Sequence, residues 1–244
     1  MRTLVLLHGW GASGRLWRGV EAAAAACDPA AAVLTPEIPR WEAGWLAQYL
    51  SGLPLKESVL VGWSLGGMLL LEALAQLRGP APGATVLVAV PAVFCRRPDH
   101  PWGQPPAMLR AMRRALGSDS RKVLNDFALA CLAPGEAAFR EEAAAGFDYQ
   151  AAPAFLAQGL DYLRDKDLRG LLPLTQKTTN LSGRVIIIQG EQDRIVPPAQ
   201  GRDLQERLPG SELHLLAAAG HIPFLTQTTA VNGILRGLLS VAGP

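Results

Sequence analysis

The sequence predicts an α/β protein: a parallel sheet covered by helices on both faces, with a helical segment inserted before its last two strands. Short β-rich runs alternate with segments long enough for a helix, which is the pattern of a parallel sheet with crossover helices. Several of these runs, Leu4–Leu7, Val59–Val61 and Val185–Ile188, are apolar at successive positions and so read as central strands with both faces covered. The alternation stops near Pro91 and resumes only at Arg184, and the interval between looks helical.

Taken in chain order, the predicted strands are Thr3–Leu7, Ala32–Thr35, Ser58–Val61, Ala84–Val90, Arg184–Gln189 and Glu212–Leu216. Between them, Arg15–Cys27 contains the helix-favouring run Ala22–Ala26, Leu65–Leu77 is rich in Leu and Ala, and Gln200–Leu208 carries charge on one face. The interval holds four further expected helices, Pro106–Leu116, Ser120–Leu132, Gly135–Ala145 and Pro153–Leu163, punctuated by Pro98, Pro101, Pro105 and Pro134. Residues 1–91 and 184–244 are therefore expected to form the core, with 92–183 a helical lid inserted in it.

Bulk properties fit a compact enzyme. The 244 residues are 49% hydrophobic and 18% charged, enough apolar surface for a sizeable core. The 23 basic and 21 acidic residues are too evenly balanced for a chain devoted to nucleic acid. Cys27, Cys95 and Cys131 are odd in number and widely spaced, so they read as reduced thiols and give neither a disulfide framework nor a metal site. The start lacks the long apolar region of a signal peptide, and no apolar stretch approaches the roughly 18 residues of a membrane span. The expectation is a cytoplasmic monomer that engages neither membrane nor nucleic acid.

The chemistry is carried by Gly62-Trp63-Ser64-Leu65-Gly66, which follows a predicted strand directly and precedes a predicted helix. That context is what a nucleophile elbow requires: glycines flank a turn tight enough to push the serine hydroxyl out of the sheet, and Gly67 relaxes the packing further. A serine hydroxyl is a weak nucleophile at neutral pH and needs a base. His221, in Gly220-His221-Ile222-Pro223-Phe224 just after the last predicted strand, is placed to serve, whereas His214 lies inside a strand and His100 in the helical interval. His8 reads as a loop-packing residue.

A histidine base needs an acid to orient it, and Gly190-Glu191-Gln192-Asp193 follows the preceding strand. Asp193 is preferred to Glu191 because a short side chain suits a reverse turn, and the order serine, acid, histidine is the one used by folds with such an elbow. Backbone N–H groups of Leu65, after the nucleophile, and Trp10, after an early strand, are the expected oxyanion donors, with the Trp10 side chain forming part of the substrate-pocket wall. No cofactor is needed.

His8-Gly9-Trp10-Gly11, Gly62-Trp63-Ser64-Leu65-Gly66-Gly67, Gly190-Glu191-Gln192-Asp193 and Gly220-His221-Ile222-Pro223-Phe224 together resemble the α/β-hydrolase superfamily over nearly the whole chain. The Trp after His-Gly, the Trp before the serine and the phrase from Gly159 to Arg169 narrow the resemblance to the pimeloyl-acyl-carrier-protein methyl ester esterases of biotin synthesis. That resemblance implies hydrolysis of a carrier-bound methyl ester. It also implies that Phe127, Ala128, Leu129, Ala130 and Cys131 help line the substrate channel, alongside Trp10, Ser64, Leu65 and His221. Members of that family usually carry two strands before the His-Gly strand, so about six strands are expected here, and Glu37-Ile38-Pro39-Arg40-Trp41 departs from the usual Asp-x-Pro-Gly-x-Gly-x-Ser run. The same machinery would serve a thioester or another small ester.

Acyl carrier proteins are acidic, so a docking surface should be basic. From Phe94 to Asn125 the chain carries Arg96, Arg97, Arg110, Arg113, Arg114, Arg121 and Lys122 against Asp99 and Asp119. Arg110, Arg113 and Arg114 stand at i, i+3 and i+4 and so share one helix face; with Arg121 and Lys122 they suit a carrier-docking patch, and a solvated helix face would look the same. Asp126 departs from the basic residue often found at its position in the family.

Overall fold

The computed structural model describes residues 2–172 and 183–240. One sheet of six parallel strands runs in the order β2-β1-β3-β4-β5-β6, formed by β1 (Thr3–Leu7), β2 (Ala32–Leu34), β3 (Ser58–Trp63), β4 (Ala84–Val88), β5 (Arg184–Gly190) and β6 (Glu212–Leu216). All six predicted strands are present and only their ends differ. β4 stops at Val88 because Ala89 takes a positive φ of 50°, which leaves the extended region.

The strand order explains the hydropathy pattern. Every residue of β1, β3 and β4 is buried, and in β5 all but Arg184 are. These are the interior strands, and their continuous apolar runs are packed on both faces, where burying each Leu, Ile or Val stabilises the fold by about 1.5–3 kcal/mol. β2 and β6 form the edges and are half-buried. Because every pairing is parallel, with Leu7 opposite Gly62 and Trp63 opposite Val88, the carboxyl ends of β1, β3 and β4 lie along one rim.

Helices α1 (Arg18–Cys27), α2 (Ala43–Ser51), α3 (Leu65–Gln76), α7 (Pro198–Arg207), α8 (Pro223–Thr226) and α9 (Thr228–Ser240) belong to the core. α1 packs on α9, and α2 on α3. The predicted helix from Arg15 begins as a 3-10 turn, Gly14–Trp17, before α1. α2 and α9 were not expected from the sequence. Gly44, Trp45 and Tyr49 dilute helix propensity in the first and Thr228-Thr229 opens the second, yet Leu46 and Leu50 in α2, and Val231, Leu235 and Leu239 in α9, recur at helical spacing and are buried.

Between β4 and β5 lie α4 (Pro106–Ala130), α5 (Arg140–Ala145) and α6 (Pro153–Asp165). The two helices expected over 106–132 form one run broken at Asp119, which is non-helical (φ −155°, ψ 82°) and whose carboxylate accepts the Lys122 N–H at 2.8 Å. Asp119 thus acts as an N-cap for the second half. The helix expected at Gly135 starts as a 3-10 turn, Pro134–Phe139, that leads into α5. Tyr162 on α6 donates to Glu72 on α3 at 2.7 Å, and Lys166 also pairs with Glu72, which ties the insertion to the core. The expected lid boundary near 183 falls beside residues 173–182, which lie outside the described residues, as do 241–244.

Candidate active site

β3 delivers Ser64 to the rim of the sheet. Its N–H still bonds the Val88 carbonyl of β4 at 2.9 Å, as a strand residue would, while its carbonyl already accepts the N–H groups of Gly67 and Met68 in the first turn of α3. Strand and helix therefore meet at a single residue, and Ser64 absorbs the change with φ 53° and ψ −122°. A non-glycine residue held there is strained, and such strain is retained where it aims a functional group.

The flanking glycines are needed for separate reasons. A Cβ on Gly62 would stand 2.5 Å from the Gly67 Cα, across the turn itself, whereas one on Gly66 would stand 2.3 Å from the carbonyl oxygen of His8. The elbow is thus pressed against the loop that follows β1.

Asp193 and His221 arrive from the loops after β5 and β6. His221 Nε2 lies 2.9 Å from Ser64 Oγ, and His221 Nδ1 lies 2.8 Å from Asp193 Oδ2. All three side chains are buried. A carboxylate only accepts, so Nδ1–H donates to Asp193 and leaves the Nε2 lone pair facing the serine hydroxyl, the tautomer a general base requires.

Asp193 is fixed on both of its oxygens. Oδ1 accepts the N–H groups of Ile195 and Val196 at 2.8 and 2.9 Å, and Oδ2 accepts from Gln189 Nε2 at 3.1 Å as well as from the histidine. This local turn suits an aspartate, since the carboxylate must fold back onto the next residues. Glu191 is exposed, at a turn.

Three contributors escaped sequence reading. Gln189, buried at the end of β5, spans Asp193 and the Val196 carbonyl; Trp63 donates its indole N–H to the His221 carbonyl at 2.8 Å; and Glu136 reaches the histidine loop from the insertion. The visible signal for the first was a polar side chain closing an otherwise apolar run, Val185-Ile186-Ile187-Ile188-Gln189.

The other histidines lie elsewhere. His8 is buried, donates Nδ1–H to the Gly9 carbonyl at 2.9 Å and sets its ring edge-on to Trp41 at 6.0 Å. Burial pushes its pKa below the ordinary value, partly opposed by that hydrogen bond and by Asp148 and Glu37. His100 contacts Gln200, and His214 stands on β6 near Glu212.

Leu65 is the first residue of α3, and its N–H is one of the donors that a helix start leaves without an internal acceptor. The Gly9–Trp10 peptide lies alongside Ser64: a Cβ on Gly9 would stand 3.2 Å from the Ser64 Cβ. The Trp10 side chain is buried, donates to the Leu156 carbonyl of α6 at 2.8 Å and meets the Phe127 ring edge-on at 5.1 Å.

The run 127–131 does not present a single wall. Phe127, Ala128 and Cys131 are buried, but Leu129 and Ala130 are exposed, because successive residues of a helix turn by about 100° and a contiguous run faces both ways. The Cys131 thiol is held well above its ordinary pKa by burial and, secondarily, by the charge of Asp193. Among the described residues, neither Cys95 nor Cys131 is joined in a disulfide.

Of the basic patch, Arg110, Arg113, Arg114, Arg121 and Lys122 are all exposed. Arg113 is paired with Asp161 at 3.0 Å, Lys122 with Asp126 at 2.5 Å, and Arg121 lies over the Tyr149 ring. No helix among the described residues is long and apolar enough to cross a membrane.

Comparison with known proteins identifies the family and the fold. The model of the alpha/beta hydrolase family matches residues 4–234. A pimeloyl-[acyl-carrier protein] methyl ester esterase of Aeromonas salmonicida is 32% identical, covering 96% of this chain and 93% of its own, and one of Vibrio vulnificus is 30% identical, covering 98% and 94%. Among solved structures, an esterase from Exiguobacterium antarcticum superposes with a TM-score of 0.83 at 20% identity, covering 98% of this chain and 92% of its own. A bromoperoxidase from Bacillus anthracis does so at 0.82 and 23%, covering 98% and 91%. At such identities the structural likeness speaks to the fold, while the family match extends over almost the entire sequence. The chain belongs to the alpha/beta hydrolase family.

Proposed function

We propose that this protein is a carboxylic ester hydrolase in which Ser64 is the nucleophile, His221 the general base and Asp193 the group that orients it. The observation that carries the reading is the unbroken, buried hydrogen-bond chain from Ser64 Oγ through the imidazole to Asp193 Oδ2. Ser64 Oγ attacks the ester carbonyl carbon as its proton passes to His221 Nε2. The resulting oxyanion accepts hydrogen bonds from the N–H groups of Trp10 and Leu65, a contribution of about 10²–10³ in kcat per donor. Collapse breaks the bond to the alkoxide, which leaves as alcohol with the proton from Nε2. Water, deprotonated by the same nitrogen, then attacks the acyl-enzyme, and the acid departs as Ser64 regains its proton.

The substrate we favour is the methyl ester of a pimeloyl chain carried on acyl carrier protein, which places the enzyme in biotin synthesis. Full-length similarity to esterases of that name supports it. The described part of the insertion, residues 92–172, acts as a lid over the site, with Phe127, Ala128 and Cys131 on its inner side, and the enzyme works as a cytoplasmic monomer. Arg110 and Arg114, which no ion pair among the described residues engages, are the docking contacts for the acidic carrier; Arg113, Arg121 and Lys122 are already engaged within the chain.

The test is methanol release from pimeloyl-acyl-carrier-protein methyl ester by the purified enzyme, together with growth of a biotin auxotroph that lacks its esterase. The reading expects both, and neither with Ser64→Ala. Turnover of p-nitrophenyl esters without growth would leave a generic esterase.

A further inference from the structure

We infer that Glu136, on the 3-10 turn of the insertion, is a positioning residue for His221, so that the insertion holds the catalytic base in place as well as covering the site. The inference rests on the serine hydrolase reading above. Glu136 is buried, and a single oxygen, Oε2, accepts both the Ala133 N–H at 2.7 Å and the Gly220 N–H at 3.1 Å. The first bond caps the turn. The second spans 84 residues to the one immediately before the histidine.

The neighbouring contact acts in the same direction. The His221 N–H donates to the Cys131 carbonyl at 2.7 Å, so two successive N–H groups of the histidine loop end on the insertion. On the opposite side the core holds the loop by its carbonyl, through Trp63. Fit on the insertion side is close: a Cβ on Gly220 would stand 2.5 Å from the Cys131 carbonyl oxygen, 2.6 Å from the Ala133 nitrogen and 2.8 Å from Glu136 Oε2.

Capping alone does not require a buried carboxylate. Taking such a group out of water is unfavourable, and Oε1, also buried, has no hydrogen-bond partner among the described residues. What the carboxylate supplies is an acceptor with room for two donors from different parts of the chain. Losing it frees Gly220 and lets the imidazole drift from Ser64, an error that reduces kcat steeply because proton transfer depends on position. Ester binding is left largely as it was. A consequence for the insertion is that residues 131–136 stay fixed to the core during turnover, so any opening must occur elsewhere in it.

The experiment compares wild type with Glu136→Asp, Glu136→Ala and Glu136→Gln on p-nitrophenyl acetate, with rates divided by the sites titrated with a phosphonate. Asp, which keeps the charge but withdraws the acceptor, and Ala should lower kcat about tenfold or more with KM within about twofold. Gln, which restores a carbonyl oxygen at the same reach, should return kcat to within about threefold of wild type. A folded Glu136→Asp enzyme with kcat within twofold of wild type overturns the assignment, even if Glu136→Ala cannot be purified. So does a fall carried by KM, or a Gln variant as impaired as Asp. Ser64→Ala is measured alongside: if it too retains activity, the hydrolase reading itself has failed, whereas an inactive Ser64→Ala with an unimpaired Glu136→Asp rejects only the role of Glu136.

Discussion

The indole N–H of Trp63 donates to the carbonyl oxygen of His221 at 2.8 Å, joining the residue before Ser64 to the histidine proposed as its base. Both groups are buried, and the two rings also touch, with centroids 5.5 Å apart. Elbow and histidine loop are thus joined to each other before any substrate arrives, which is the kind of pre-organisation that fast proton transfer needs.

Trp63→Phe should keep the aromatic packing on Phe224 but leave the His221 carbonyl without its donor. An orphaned buried acceptor costs about 1–3 kcal/mol, so the urea midpoint should fall by that equivalent and kcat should drop with it. An unchanged midpoint and unchanged kcat would show that the bond has no consequence.

Gly66→Ala is expected to be far more damaging than its size implies. The added Cβ would meet the His8 carbonyl at 2.3 Å, so the elbow must move away from the β1 loop that carries the Trp10 N–H. Esterase activity should fall by about 10²-fold or more, because the nucleophile and one proposed oxyanion donor separate. Retention of most activity would mean that this contact yields without disturbing the site.

Gln189→Leu removes the amide that steadies Asp193 Oδ2 and bonds the Val196 carbonyl. A fall in kcat of about tenfold with little change in KM is expected, since the loss acts on the base and not on ester binding. Steady-state kinetics on a short ester would show the split; a rise in KM alone would contradict it.

That Ser64, Asp193 and His221 would meet was legible in the sequence, because elbows and triads need particular residue types in a fixed chain order, and the structure brings the three side chains within hydrogen-bond distance. Ser64 is declared by its glycines, and His221 and Asp193 follow from the strands they succeed. Trp63 and Glu136 were not legible, because each acts through a contact with a residue distant in the chain, and Gln189, whose partners lie only four and seven residues on, was not legible because a Gln, like a Trp or Glu, has many ordinary explanations at such a position. The same limit applies to the fold. Continuous apolar strands announced the sheet, while α2 and α9 hid their buried faces behind residues of modest helix propensity. In the run 127–131, carried over from a resemblance, the helical period turns Leu129 and Ala130 to the exposed side, which a contiguous reading does not foresee.

Alkaline pH should lower the stability of the fold through Tyr162. Burial, and then the hydrogen bond and charge of Glu72, push the Tyr162 phenol far above its ordinary pKa, so the folded protein resists an ionisation that the unfolded chain undergoes near pH 10. A pKa raised on folding gives stability that is fully present below the unfolded value and declines as pH rises above it. The urea midpoint of wild type should therefore fall faster above about pH 10 than that of Tyr162→Phe, which has no phenol to ionise. Parallel curves for the two proteins would remove Tyr162 from the alkaline transition.

His221 Nε2 lies 2.9 Å from the Ser64 hydroxyl, which it is proposed to make nucleophilic. The direct measurement is peptide mass mapping after brief exposure to a fluorophosphonate, on wild type, Ser64→Ala and His221→Ala. The expected result is a single adduct on Ser64 in wild type, none in Ser64→Ala, and labelling slowed by about 10³-fold or more in His221→Ala. An adduct on another residue, or equal labelling rates with and without the histidine, would contradict the mechanism.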